Sequence, residues 1–162
     1  MPEAQPETQK SEPFEEPPRE EIPAISRGHV QYMESTDAEE AWYMAGQRFL
    51  ILHTIGRKSG NEHKVALPYW LDGDGHWIIV GSYAGAPDHP AWYLNVSDRD
   101  ANPEVKLRLQ RGLIWADPQV LDGADYAETW AALNVDRPFY DNYQSRTDRQ
   151  IPLVRLVELR TA

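Results

Sequence analysis

The chain has 162 residues, enough for one domain with a tail, and a formal charge of −10 from 16 basic and 26 acidic residues. That balance argues against a general nucleic-acid binder, which needs a basic face to neutralise phosphates, but leaves room for one local anion site. With no cysteine, disulfides and thiolate metal centres are excluded. No apolar run reaches the roughly 20 residues that span a bilayer, so a soluble, cytoplasmic protein without stable membrane insertion is expected.

Residues 1–24 are acidic and proline-rich with no apolar core. They are expected to form a disordered tail rather than a signal peptide, with the folded domain over 25–162. "HVQYMESTDAEEAWYMAG" predicts helix, with His29, Tyr32 and Met33 on one face and Thr36 with Glu39 as a capping box for a second helix. Strands then dominate. "RFLILHTI" and "KVALPYWL" read as two, with Pro68 marking an edge or a bulge. "DGDG" at 72–75 predicts a hairpin turn through positive-φ glycines, and "HWIIVGS" the returning strand. "DHPAWYLNVSDRD" predicts a helix capped by Asp88 with Pro90 in its first turn. "VKLRLQ" alternates with Val105, Leu107 and Leu109 on one side, and "LIWADPQVL" continues as a strand broken at Pro118. A helix capped by Asp122, a short helix placing Tyr140 and Tyr143 on one face, and a closing strand "IPLVRLVEL" complete the chain. Antiparallel hairpins followed by short helices predict an α+β domain built on a small barrel.

Familiar catalytic motifs are absent. "GRKSG" has Arg57 where a Walker loop needs glycine before the lysine, Tyr83 stands where a calcium loop starting at Asp72 needs glutamate, and no HxxxH pair offers a zinc site. Three features remain. The first is "HTIGRKSGNEHK", a compact cationic loop bracketed by glycines in an acidic chain. Its backbone N–H groups can form an anion nest, with Arg57 as a planar fork, Lys58 as a point charge, Ser59 as a donor, and His63 and Lys64 extending the patch. Taken alone, it reads first as a solvated hairpin and only second as a phosphate site. The second is "GSYAGAPDHPAWYLN", where Gly81 and Gly85 would let backbone approach a planar ligand. The third is the Tyr140–Tyr143 face, which either lines a pocket or packs on the barrel.

Taken in order, "GRKSG", "GAPDHPAWYLN", "ANPEV" and "YDNYQSRTDRQIP" resemble the deazaflavin-dependent nitroreductase family, also called F420H2-dependent quinone reductases, from about His29 to Glu158. The resemblance implies a split β-barrel that binds coenzyme F420, an 8-hydroxy-5-deazaflavin whose tail carries a phosphate and glutamates. It implies hydride transfer to a quinone or another electron-poor acceptor, such as an activated alkene or a nitro compound. Arg57, Lys58, Ser59 and Gly60, with His63 and Lys64, match the phosphate and tail contacts. Ser82 and Tyr83 match the strand end beside the ring, and Ala91, Trp92 and Asn95 the helix that shelters it. Tyr140 and Tyr143 match tyrosines on the substrate side, with Tyr143, Tyr140 or Ser82 as proton donor. The chain departs from the pattern at His63, followed by Lys64, where Arg is usual, at Tyr83 in place of Lys, and at Arg137 in place of a third tyrosine. Two alternatives stay open: an FMN-dependent reductase on the same fold, and a non-catalytic F420 carrier whose pocket is filled by Trp42, Arg137 and Phe139. The oligomeric state stays open between monomer and homodimer.

Overall fold

The computed structural model describes residues 8–162. In chain order its elements are helices α1 (Ile22–Ser35) and α2 (Glu39–Trp42), strands β1 (Tyr43–Met44), β2 (Gln47–Ile55), β3 (Glu62–Leu71) and β4 (Trp77–Val80), helix α3 (Ala91–Ser97), strands β5 (Val105–Leu109) and β6 (Gly112–Val120), helices α4 (Gly123–Asp136) and α5 (Phe139–Gln144), and strand β7 (Leu153–Thr161). The strands lie in the order β1-β2-β3-β4-β7-β6-β5, and β2 also pairs with β5. That extra pairing closes six antiparallel strands into a barrel, as expected, with β1 as an appendage on β2.

The unbroken apolar run of β2 follows from burial on both faces. Leu50 and Leu52 alternate into the barrel, while Ile51 points outward into a cluster with Val30 and Met33 of α1 and with Trp42. Inside the barrel, Trp92 and Val96 of α3 pack on Leu50, Leu52, Leu107, Val154 and Leu156. On the outer face of β4 and β7, Ile78 and Leu153 pack with Leu133 of α4 and with Tyr140 and Tyr143 of α5. Pro68 sits opposite Phe49, in the part of β3 that β4 does not reach, where a missing N–H donor is tolerated.

Several local expectations are corrected. Tyr32 is 47% exposed, so the buried face of α1 is carried by Val30 and Met33, with His29 Nε2 donating to Ala41 O. No capping box forms, because Ala38 rather than Thr36 is the N-cap of α2 and the Thr36 hydroxyl instead accepts from Ala38 N. Asp88 does not cap α3; the N-cap position falls to Pro90. Asp122 holds the N-cap position of α4 without a side-chain hydrogen bond. β6 runs through Pro118, which pairs with Leu156, and its irregularity lies instead at Trp115/Ala116. In the 72–75 turn only Gly75 has positive φ, and Asp72 closes the loop by accepting from Asp74 N and His76 N.

The N-terminal segment departs most from expectation. The first seven residues of the expected tail lie outside the described residues, but from residue 8 the chain runs against the domain. Gln9 pairs with Leu71 through both its amide atoms, Ser11 N donates to Asp136 O, and Glu12 N donates to Ala45 O. A Cβ on Gly46 would come within 2.5 Å of Lys10 O, so this segment passes closely over the β1–β2 turn. Composition misjudges it because its fixing groups are backbone amides, one glutamine and one phenylalanine rather than an apolar stripe. The boundary near residue 25 falls inside α1.

Candidate functional site

The β2–β3 loop folds around Gly56. Gly56 N donates to Asn61 O at 2.8 Å and Gly60 N to Gly56 O at 2.9 Å, with Gly60 at φ 72°. A Cβ on Gly56 would lie 2.4 Å from Ser59 Oγ and 2.7 Å from His63 Nε2, so only glycine lets these two side chains fold across the turn. Arg57, Lys58 and Ser59 are exposed, and neither cation has an ion-pair partner among the described residues. In a chain of charge −10, two such cations on one glycine-pinned turn are open to an external anion. His63, the second residue of β3, reaches back over this loop, its Nε2 3.4 Å from Ser59 Oγ. Lys64 does not join it. Adjacent strand residues face opposite sides, and Lys64 Nζ is bonded to Glu34 of α1 at 2.7 Å.

Asn95 acts through Arg57. Buried in α3, it accepts with Oδ1 from Arg57 N at 3.2 Å and from Arg57 Nη1 at 3.1 Å, and donates to Thr54 Oγ1. Asn102 supports it from below. Its Oδ1 accepts from Ile55 N at 2.7 Å, and its Nδ2 donates to Ile55 O at 2.8 Å and to Asn95 O at 2.9 Å. One buried amide therefore fixes the end of β2 to α3, and with it the root of the cationic loop.

At the other end of α3 lies the loop after β4. Tyr83, Ala84 and Gly85 have φ of 44°, 52° and 77°, three successive left-handed residues of which two carry a Cβ. Such backbone costs about 1–3 kcal/mol per non-glycine residue and persists only where the surroundings hold it. Arg149 holds it. Its Nε donates to Ala86 O at 2.8 Å, its Nη1 to Gly81 O at 3.0 Å and its Nη2 to Ser82 O at 2.8 Å, while Nη1 also meets His89 Nδ1 at 3.1 Å. Burial, and then Arg149 itself, keep His89 below the usual histidine range, in the neutral form able to accept that bond. Ser82 is half-buried and its hydroxyl makes no hydrogen bond to the described residues. Ala91 is exposed at the start of α3, whereas Trp92 is buried in the barrel core, where it anchors the helix.

α5 closes this end. A Cβ on Gly85 would lie 2.6 Å from Tyr143 O, and Arg146 Nη1 donates to Ala84 O, so the strand-end loop and α5 are in contact. Tyr140 and Tyr143 are 3% and 8% exposed and belong to the outer apolar cluster. Burial, followed by the nearby Glu16 carboxylate, pushes the Tyr143 phenol up to about 12. Burial likewise raises Tyr140 against the opposing pull of Arg137. Arg137, 2% exposed, donates from Nε to Gln9 O.

The fold thus gathers Ser82, Tyr83, Tyr140 and Tyr143 at one end of α3 and Arg57, Lys58, Ser59, Gly60, His63 and Asn95 at the other. Of the three residues suggested to plug a carrier's pocket, Trp42 belongs to the separate cluster under α1. Sequence reasoning gave no role to Arg149 or Asn102, although "RTDR" and "ANPEV" were both singled out. An open cleft lined by Tyr93, Arg99, Asp117 and Gln119 contains none of the predicted site residues.

The family described as F420H(2)-dependent quinone reductase matches residues 25–158. An F420H(2)-dependent quinone reductase of Mycobacterium tuberculosis is 40% identical over 110 residues, covering 66% of this chain and 71% of that protein. A solved structure of an F420-H2 dependent reductase is 30% identical with a TM-score of 0.56, covering 67% of this chain and 92% of that one. Another, described as a domain-swapped dimer, is 26% identical with a TM-score of 0.59, covering 80% and 95%. The match over residues 25–158 spans every strand and helix from α2 to α5 and most of β7, and the chain belongs to the F420H(2)-dependent quinone reductase family.

Proposed function

We propose that the protein is an oxidoreductase that moves hydride from reduced coenzyme F420 to a quinone, with activated alkenes and nitro compounds as further acceptors. One observation carries this reading: α3 joins a cationic loop without internal ion pairs to a strained, arginine-clamped loop beside two buried tyrosines. The cationic loop meets α3 at Asn95, four residues and about 6 Å of helix rise from Ala91, a spread that suits an elongated ligand with a planar head and an anionic tail. The donor set fits that ligand. Arg57, Lys58 and Ser59 offer charge and hydrogen bonds for phosphate and carboxylates, with Gly60 leaving backbone accessible. FMN, with one phosphate, would leave part of this patch without a partner.

When bound, the reduced deazaflavin supplies the hydride. The chain's own residues bind, orient and hold protons. Arg149 fixes the backbone at Gly81, Ser82 and Ala86 and so presents the free Ser82 hydroxyl at the strand end. Tyr143 is a neutral phenol at physiological pH, as an ordinary tyrosine is, and faces the acceptor as hydrogen-bond and proton donor; burial pushes its pKa up to about 12, which makes it a weaker acid, so the proton it gives up is replaced from solvent. The acceptor lies on the α5 side of the ring. No helix among the described residues is long and apolar enough to cross a membrane. The test is oxidation of F420H2 by menadione, followed as recovery of deazaflavin absorbance. Quinone-dependent turnover with F420H2 and none with reduced FMN is expected. Turnover with reduced FMN alone would move the protein to the flavin reductases, and F420 binding without turnover on any quinone would make it a carrier.

A further inference from the structure

Residues 8–18 cross the outer cluster at the face where the proposed function places the acceptor, and the inference here rests on that placement. Phe14 packs edge-on against Phe139 with ring centroids 5.1 Å apart, and Phe139 in turn meets Tyr143 at 5.6 Å. Glu16 takes a two-point bond from Arg146, at 2.5 and 3.1 Å. The same guanidinium lies 5.1 Å from the centre of the Tyr143 ring and bonds Ala84 O in the strained loop. Arg137 and Gln9 anchor the segment upstream. Glu16 therefore occupies the charged fork that, among the described residues, touches both Tyr143 and the strand-end loop.

We propose that residues 8–18 form an acidic strap, latched by Glu16 on Arg146, that makes the site discriminate against anionic acceptors. Two effects act in the same direction. The strap brings the Glu16 carboxylate onto the face, in a segment whose charges are three glutamates, Glu12, Glu15 and Glu16, against Lys10. It also spends the planar fork of Arg146, which would otherwise pair with a sulfonate or carboxylate on an incoming acceptor. A neutral quinone meets neither obstacle.

The test compares menadione with its sulfonate in the wild-type chain, in Glu16→Gln and in a chain lacking residues 1–17. Glu16 is exposed, so Glu16→Gln should fold normally; the truncation checks the whole strap. In Glu16→Gln the preference for menadione, as a ratio of kcat/KM values, should fall at least about threefold, because KM for the sulfonate drops, while F420 affinity stays within twofold. Amide exchange at Ser11 and Glu12, whose N–H groups hold the strap down, should quicken about tenfold in the same variant. An unchanged ratio in both variants would leave the strap as a structural brace and overturn the proposal. Unchanged exchange would remove the latch whatever the activity. Failure of the wild-type chain to bind F420 would instead strike the coenzyme reading, with the exchange result still deciding the latch.

Discussion

Replacing Arg149 with lysine separates a planar fork from a positive charge. Arg149 serves three carbonyls and one imidazole, all within 3.1 Å, from three different nitrogens. A lysine ammonium sits at one point and reaches one or two of these acceptors. Hydrogen bonds to charged groups contribute about 1.5–3 kcal/mol each, and the half-buried position lets water replace part of the loss, so the net cost should be about 3 kcal/mol. For a chain of this size that is a fall in Tm of about 6–12 °C. The larger consequence is local. Tyr83 and Ala84 are held left-handed at a cost of about 1–3 kcal/mol each, and once released they would relax and carry Ser82 with them. Affinity for F420 should fall by about tenfold or more, since each 1.4 kcal/mol is a factor of ten. Thermal scans and fluorescence titration with F420 measure the two effects. A variant whose Tm stays within about 2 °C and whose F420 affinity is unchanged would refute the reasoning that the fork holds the loop.

Three further outcomes follow from the same contacts. Asn102→Ala strands buried groups on Ile55 and Asn95 and should cost about 3 kcal/mol in chemical denaturation, while Asn102→Asp, which sets carboxylate oxygen against two carbonyls, should cost more. Tyr143→Phe should lower kcat for menadione by at least about tenfold with F420 affinity unchanged in titration; unchanged turnover would remove Tyr143 as the proton donor. His53 lies largely buried on β2 with neither ring nitrogen hydrogen-bonded, and Glu62 is 3.6 Å away, beyond hydrogen-bonding distance but close enough to pair with a protonated ring. Burial lowers its pKa in the fold below the ordinary 6.5, with Glu62 opposing. The unfolded chain therefore takes up the proton first, so this contribution to stability is present above pH 6.5 and is lost as pH falls. His53→Leu should flatten the acid-side decline in Tm over roughly pH 7 to 5.

The barrel was legible because strands alternate. Val105 and Leu107 could be assigned to one face from spacing alone, and β2 could be read as a strand from its apolar run "FLILHTI", although not that its outer face is covered by α1. Cap assignments failed at Thr36 and Asp88 because the chain's path decides which residue precedes the helix, and the residue types at both positions merely permit a cap. The cationic loop was visible as composition, but the division of labour inside it was not. Lys64 looks continuous with His63 in sequence, yet strand pleating sends it to Glu34. Asn95 looks like a ligand, yet its amide is spent on Arg57. The strap was missed because hydrophobicity measures apolar burial, whereas residues 8–18 are held by backbone hydrogen bonds, the Gln9 side-chain amide, one ion pair and one aromatic contact.

The central claim is that the glycine-pinned loop at Arg57 and Lys58 grips an anionic tail while the rest of the site holds the ring. It is tested most directly by titrating the protein with F420 and with the same deazaflavin ring lacking phosphate and glutamates, in wild type and in Arg57→Ala/Lys58→Ala. Wild type should favour F420 strongly, the preference should shrink with added salt, and the double variant should bind the two ligands nearly alike. Equal affinity of wild type for both ligands would contradict the account.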